Sequence, residues 1–172
     1  MTVTAEVIES GDPAKDAQAF RRCLGAYPTG VAIVTVGSGD ELAAITVNSF
    51  ASLSLDPPLI LWAIGRNSSR AGAFLAARHF SVSVLSSGQA DIARAFSAAG
   101  SKLDDIERWA GGAGGAPLLK GAAAHFECAL ENALEGGDHT ILIGRVKRFT
   151  RFAGEPLVFS RGRYAGVRAL ER

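Results

Sequence analysis

Hydrophobic residues recur along the chain with two periods, which divide it into predicted strands and helices. Strand-like runs cover 31–36, 42–47, 59–64, 80–85, 123–130, 140–149 and 157–159, and helical spacing covers 13–26, 69–78 and 89–98. Gly37-Ser38-Gly39-Asp40 separates the first two runs, which indicates a hairpin. Because the strands do not alternate regularly with the helices, the pattern predicts a mostly antiparallel β-barrel rather than a doubly wound sheet.

The ends of the chain and one internal stretch depart from this periodicity. Residues 1–12 are interpreted as an N-terminal arm and 13–172 as one domain, whose first helix has Asp12 as N-cap and Pro13 in its first turn. Residues 99–116, with GGAGG at 111–115, are predicted to form a long loop around a short helical turn. Loops of that length in a compact domain are usually functional or mobile.

Charge and cysteine content exclude several classes of partner and site. A net charge of +1 on 172 residues provides no electrostatic attraction for nucleic acid or an anionic membrane. No run reaches the ~20 apolar residues that cross a bilayer, and the N-terminus lacks a signal-peptide pattern. Cys23 and Cys128 lie far apart, so we expect two buried thiols in a reducing cytoplasm rather than a disulfide or a zinc ribbon.

Short polar side chains are concentrated in 46–58, TVNSFASLSLDPP. The polar members are Thr46, Asn48, Ser49, Ser52 and Ser54, and Phe50 and Leu53 interleave with them. If the stretch is one strand, all of the polar members except Ser49 share a face. Donors and acceptors beside apolar atoms suit a heteroaromatic ring such as that of a flavin; a solvated strand and turn is the alternative.

The segment Arg66-Asn67-Ser68-Ser69-Arg70 lies between a predicted strand and a predicted helix. Free N–H groups at a helix N-terminus bind phosphate, and the Ser68 or Ser69 hydroxyl and the charge of Arg66 or Arg70 would strengthen that binding. A plain N-cap uses the same residue types, so the segment alone leaves both interpretations open.

The turn Gly136-Gly137-Asp138-His139 comes directly before the strand 140–149. From this position His139 can hydrogen-bond a nicotinamide carboxamide or a flavin edge, while Asp138 fixes its tautomer or forms an Asx-type turn. A turn with an incidental histidine is the alternative. His79 and His125 fall in strand-like runs and are interpreted as structural.

Signatures of other function classes are absent from the sequence. It contains no GxxxxGK[ST] phosphate loop, no GxSxG nucleophile elbow and no HExxH or other paired metal-ligand spacing, so no metal site is expected. GGAGG does not follow a strand and lacks the spacing of a dinucleotide-binding loop. The clustered carboxylates Asp104, Asp105 and Glu107 are interpreted as a surface turn.

Taken in order, these segments resemble the flavin reductases that form the small component of two-component flavin-dependent monooxygenases. The similarity runs from about Phe20 to Gly166 and is carried by YPTGVAIVT (27–35), TVNSFASLSLDPPLI (46–60), NSS (67–69), HFSVSVL (79–85), GGDHTILIGRV (136–146) and PLVFSRGRY (156–164). The second and fifth segments are the most specific. The glycine-rich stretch after Gly100, in which Trp109 stands alone, departs from the usual pattern.

The resemblance implies a mainly β, Greek-key split β-barrel of the FMN-binding type with a few peripheral α-helices. It implies a homodimer with flavin near the subunit interface. The residues implied to bind flavin are Thr46, Asn48, Ser49, Phe50, Ser52 and Leu53 at the ring and ribityl chain, Asn67, Ser68 and Ser69 at the phosphate, and Phe96 and Lys102 nearby. His139, the catalytic candidate, would lie beside the nicotinamide, and Tyr164 would approach the same pocket.

The implied activity is reduction of FMN or FAD by NADH or NADPH, with hydride passing from nicotinamide C4 to flavin N5. In such enzymes the cofactors carry the chemistry and the protein aligns them. Reduced flavin would then diffuse to a partner monooxygenase. A flavin-binding module without turnover is the alternative, and a barrel oxidase acting on a pyridoxine phosphate is less favoured because basic residues for a second phosphate cannot be assembled.

Overall fold

The computed structural model describes residues 6–37, 41–97, 108–109 and 114–168, with the backbone alone described at 108–109. The helices in these ranges are α1 (Ala17–Leu24), α2 (Ala71–Ala76) and α3 (Ala90–Ser97), with a 3-10 turn at Ser87–Gln89 directly before α3. The strands are β1 (Thr29–Gly30), β2 (Ala32–Val36), β3 (Ala43–Val47), β4 (Ala51–Leu55), β5 (Pro58–Gly65), β6 (His79–Val84), β7 (Arg108–Trp109), β8 (Leu118–Leu119), β9 (Ala124–Gly136), β10 (His139–Arg151), β11 (Val158–Ser160) and β12 (Arg163–Ala165).

Within the described residues, seven strands form one sheet in the order β3-β2-β6-β9-β10-β5-β4, and every neighbouring pair is antiparallel. Smaller sheets join β1-β11-β12 and β7-β8. The prediction of a mainly β, antiparallel fold with few helices is therefore confirmed, as is the hairpin between β2 and β3. The predicted long loop at 99–116 lies mostly outside the described residues.

The longest hairpin extends well past its predicted end. The hydrophobic pattern placed the end of a strand at 130, whereas β9 continues to Gly136 and pairs with β10 as far as His139. Residues 131–136 are exposed, so their side chains follow no burial pattern. Backbone hydrogen bonds to β10 hold these residues as a strand. The pattern of apolar and polar side chains does not reveal such bonds.

The polar stretch 46–58 is two strands rather than one. β3 ends at Val47, and β4 runs antiparallel to β5 with a bulge between Ser52 and Ser54. The expectation that Thr46, Asn48, Ser52 and Ser54 share one strand face is therefore wrong. β3 and β4 are the two edge strands of the seven-stranded sheet, so Thr46 of β3 and the serines of β4 belong to separate edges.

The first helix also differs in its start and its packing. Asp16, not Asp12, is the N-cap, because its side chain accepts a hydrogen bond from the Ala19 amide at 2.8 Å, while Asp12 caps a preceding turn through Ala14. Within α1 only Ala19 is buried. Its other apolar residues stay largely exposed, Phe20 at 48% and Leu24 at 58%.

A central apolar cluster draws side chains from β3, β2, β6, β9, β10 and β5. At its centre is Trp62, with Phe74 and Phe80 edge-on to it at centroid distances of 5.1 and 6.0 Å. Gly144 makes room for the second ring, because a Cβ at this position would lie 2.3 Å from Phe80 Cζ. A second cluster on the other face of β2 includes Ile33, Leu85 and the α3 residues Ala93 and Phe96.

Buried polar side chains on β2, β6 and β9 fix the backbone of residues 116–119. Thr35 Oγ1 donates to the Pro117 carbonyl at 2.6 Å, and Ser81 Oγ donates to that of Ala116 at 3.0 Å. Ser83 Oγ accepts from the Leu119 amide, and His125 Nε2 lies 2.8 Å from the Leu119 carbonyl. Burial lowers the pKa of His125, so the neutral ring donates this bond, in agreement with the structural role predicted for it.

Both cysteines are free thiols, but they differ in exposure. Cys128 is buried as expected, and burial raises its pKa to about 12. Cys23 is exposed, contrary to expectation, because α1 presents that face outward. No helix in the described ranges has the length and apolar character needed to span a membrane.

Candidate flavin site

The last turn of α3 connects several of the predicted binding segments. Thr46 Oγ1 at the end of β3 donates to the Ala93 carbonyl at 2.8 Å. Arg70, at the end of the predicted phosphate segment, donates from Nη1 to the Phe96 carbonyl at 3.0 Å. The last four carbonyls of a helix lack amide partners within it, which applies to Phe96 but not to Ala93. Side chains from two other segments are thus bonded to carbonyls in the C-terminal half of α3.

Ser49 connects the residues after β3 to β5. Its hydroxyl donates to the Ala63 carbonyl at 3.1 Å and accepts from the Ala63 amide at 2.9 Å. Pairing between β4 and β5 stops at Ala51 and Leu61, so the Ser49 side chain extends the hydrogen-bond ladder past the end of β4. The hydroxyls of Thr46 and Ser49 are thus both bonded to the protein's own backbone.

Other members of the polar stretch are free to meet a ligand. Asn48 and Ser52 are exposed, and neither side chain forms a hydrogen bond with another described residue. Leu53 is 46% exposed. Phe50 is half-buried and packs on the central cluster, with its ring 5.5 Å from that of Phe126.

Residues 66–70 form a turn from β5 into α2. The Ser68 amide donates to the Gly65 carbonyl, and Ser68 Oγ accepts from the Arg70 amide at 3.3 Å. Asn67 and Ser69 are exposed. The cap of α2 is Arg70, which makes no side-chain capping bond, so the serines of the turn are not the N-cap that the sequence left as an alternative.

His139 lies at the start of β10, directly opposite Gly65 in β5. Its Nδ1 is 2.7 Å from Asp138 Oδ1, and the ring is half exposed. The hydrogen bond and electrostatic interaction with His139 lower the pKa of Asp138. The Arg66 amide donates to the Asp138 carbonyl at 2.9 Å, so the histidine is joined to the 66–70 turn.

The remaining predicted residues have different surroundings. The Phe96 side chain is 1% exposed and packs in the second apolar cluster. Tyr164 in β12 packs against Phe159 and lies under the guanidinium of Arg94, 5.3 Å from the ring centroid. Lys102 lies outside the described residues.

Two residues at the candidate site, Gly65 and Ala93, could not have been singled out from the sequence. Gly65 lies opposite His139, and a Cβ there would lie 3.9 Å from His139 Nε2, an ordinary contact distance, so the position does not require glycine. Ala93 contributes only a carbonyl to the bond with Thr46. Every residue has a carbonyl, so no residue type reveals such a role. Arg70 was singled out as a charge, whereas the structure shows its guanidinium bonded to a helix end.

Comparison with known proteins identifies the class that this fold and site define. A family model described as the flavin reductase like domain matches residues 24–168, and the chain belongs to that family. An NADH-dependent FMN reductase of Agrobacterium fabrum is 43% identical over 150 residues, covering 87% of this chain and 86% of the relative. The sequence-based assignment to the flavin reductases is therefore confirmed.

Solved structures agree with this assignment. The NADH:FAD oxidoreductase of Streptomyces globisporus, in complex with NAD and FAD fragments, is similar with a TM-score of 0.86 at 45% identity, covering 91% of this chain and 95% of that one. The flavin reductase component of a bacterial two-component tryptophan halogenase has a TM-score of 0.83 at 37% identity, covering 90% of this chain and all of that one (100%).

Replacing Ser49 tests its role at the β5 edge. Ser49→Ala leaves the Ala63 amide and carbonyl without this partner, and we expect a loss of about 1–3 kcal/mol in the free energy of unfolding. Urea unfolding measures it. Ser52→Ala, which removes an exposed hydroxyl, should stay within about 0.5 kcal/mol of wild type. Equal stabilities of the two variants would contradict the role given to Ser49.

Proposed function

We propose that this chain is an NAD(P)H-dependent flavin reductase that reduces FMN or FAD and releases the product to a partner monooxygenase. Membership in the flavin reductase family supports the activity. The partner is supported by a relative of 37% identity over 88% of this chain, the reductase subunit of a flavin-dependent monooxygenase of Rhodococcus jostii. The supporting observation within the molecule is the joining of the 46–54 and 66–70 segments to one helix end.

The proposed architecture is a Greek-key split β-barrel within a single domain of residues 13–172, preceded by the arm 1–12. Two observations support a sheet that curls on itself. Val47 of β3 and Trp62 of β5, from opposite sides of the sheet order, belong to one apolar cluster. Ser49 then bonds to Ala63 of β5 although β3 pairs only with β2 among the described strands.

Flavin is proposed to lie across the residues named from the sequence, Thr46, Asn48, Ser49, Phe50, Ser52, Leu53, Asn67, Ser68, Ser69, Phe96 and Lys102. The proposal is supported by a difference among these side chains, since some are exposed and others are bonded to the protein backbone. Asn48 and Ser52 retain free donors and acceptors for a ring edge or ribityl chain, and the exposed Asn67 and Ser69 do so for a phosphate. Thr46 and Ser49 hold the backbone around them.

His139 is proposed to orient the nicotinamide, with Tyr164 at the same pocket. When bound, the two cofactors supply hydride transfer, and no side chain has to act as a nucleophile. The Nδ1 bond to Asp138 leaves Nε2 as the ring atom for a carboxamide N–H. Correct alignment of the reacting atoms supplies much of the barrier reduction in such reactions.

A homodimer is proposed to cover the β4 edge. β4 is the last strand of its sheet, and its Leu55 is 96% exposed. An open edge strand with exposed leucines pairs readily with another chain unless it is covered. Because β4 also carries Ser52 and Leu53, a second subunit here would border the flavin.

The free thiols of Cys23 and Cys128 support the proposed cytoplasmic location.

The activity is tested by mixing the protein with NADH and free FMN or FAD and following absorbance at the NADH band. We expect NADH consumption that depends on added flavin, and repeating the assay with NADPH ranks the two donors. If flavin binds and no flavin-dependent consumption occurs, the chain is a flavin-binding module instead.

His139→Ala should reduce kcat/KM for NADH by about tenfold, the scale of one lost hydrogen bond, while the flavin dissociation constant changes little. Steady-state rates and flavin fluorescence titration measure the two quantities. His79→Gln, in β6, is the matched control and should behave as wild type. Unchanged NADH parameters in His139→Ala would show that the role is misassigned.

Leu55→Lys should convert a wild-type dimer into monomers, because a charged side chain at the edge opposes strand association. Sedimentation velocity at micromolar concentration measures the oligomeric state. Ile8→Lys changes a residue that is 95% exposed but lies in the N-terminal segment outside the sheets, and it should remain dimeric. A dimeric Leu55→Lys variant would rule out β4 as the interface.

A further inference from the structure

We infer that Arg70 is a positioning residue, which holds the 66–70 turn against the end of α3 and so sets the distance between the two flavin-binding segments. The inference rests on the proposed function and deepens it. The direct observation is the 3.0 Å bond from Arg70 Nη1 to the Phe96 carbonyl. Sequence reasoning had treated this arginine only as a charge for a phosphate.

The acceptor explains why a guanidinium suits this position. Phe96 is the second-last residue of α3, and its carbonyl has no amide partner within the helix. The C-terminal end of a helix carries partial negative charge, so a cation is stabilised there. Charge-assisted hydrogen bonds are shorter and stronger than neutral ones, which makes the contact a firm link between the turn and the helix.

The strand segment is bonded to the same helix. Thr46 bonds to the Ala93 carbonyl three residues earlier in α3, and the side chains of Ala93 and Phe96 are buried at 0% and 1% exposure. A helix end packed in the core is a rigid reference point. With Thr46 on one carbonyl and Arg70 on the other, the turn and the strand keep one separation.

This arrangement also gives Phe96 a role other than ring contact. Its side chain is packed among Leu119, Leu157 and other core residues, so it anchors the helix end. Its carbonyl receives Arg70. The Phe96 position therefore also serves the site through its backbone carbonyl.

The alternative role for Arg70 is a direct contact with the flavin phosphate, and riboflavin separates the two because it lacks that phosphate. A direct contact affects FMN alone. A residue that positions the 66–70 turn affects both flavins, because the Arg66 amide of that turn is bonded to the Asp138 carbonyl beside His139. Movement of the turn therefore also shifts groups of the site that do not contact the phosphate.

The experiment measures dissociation constants for FMN and riboflavin by fluorescence titration in wild type, Arg70→Met and Arg70→Lys. We expect Arg70→Met to weaken FMN binding by about tenfold and to weaken riboflavin binding measurably as well. Arg70→Lys, whose ammonium also donates to a carbonyl, should restore both. Arg145→Met is the control: it removes an arginine of β10 that is paired with Glu131 of β9. This variant should bind both flavins as wild type does.

Selective loss of FMN binding in Arg70→Met would overturn the inference in favour of a phosphate ligand, and unchanged binding of both flavins would overturn it altogether. If Arg70→Met does not fold, Arg70→Gln carries the same comparison: weaker binding of both flavins supports the positioning role, and a loss confined to FMN contradicts it. Wild-type turnover with FMN and NADH, measured first, reports on the proposed function independently.

Discussion

The two hydrogen bonds between Ser49 and the backbone of Ala63 are the constraint on which the rest of the site depends. They hold the chain that leaves β3 against β5, at the point where β4 stops pairing with β5. β3 and β5 lie on opposite sides of the sheet order. The central cluster around Trp62 is then surrounded by six strands. Because a backbone amide and carbonyl that lose their partner are costly, this serine holds the segment between β3 and β4 against β5.

The short polar side chains of the candidate flavin site fall into two groups, those bonded to the protein's own backbone and those proposed to meet the ligand. Thr46 and Ser49 bond to backbone groups of the protein, whereas Asn48 and Ser52 are exposed and their side chains form no hydrogen bond within the described part of the chain. Arg70 and His139 are each oriented by a hydrogen bond within the protein. An alignment task suits such a design, because the cofactors react and the protein holds them at a defined distance.

Several features were predictable because they depend on local physics. The β2–β3 hairpin, the three helices and the turn before His139 follow from periodicity and glycine placement, and the order of the motifs identified the family. The errors have local causes too. Asp12 and Asp16 are equally good caps by residue type, and only the position of the Ala19 amide selects Asp16. Residues 131–136 form a strand without a burial pattern because the β10 ladder holds them.

The sequence by itself determined the class of fold, the family and the residue types at the site, since side-chain period and motif order are properties of the chain. Tertiary structure alone decided which polar groups remain free for a ligand. Whether a threonine or serine hydroxyl is available depends on the carbonyl it meets, and that carbonyl belongs to a residue as ordinary as Ala63 or Ala93. Backbone acceptors are the same at every position, so a sequence does not reveal which of them a distant side chain reaches.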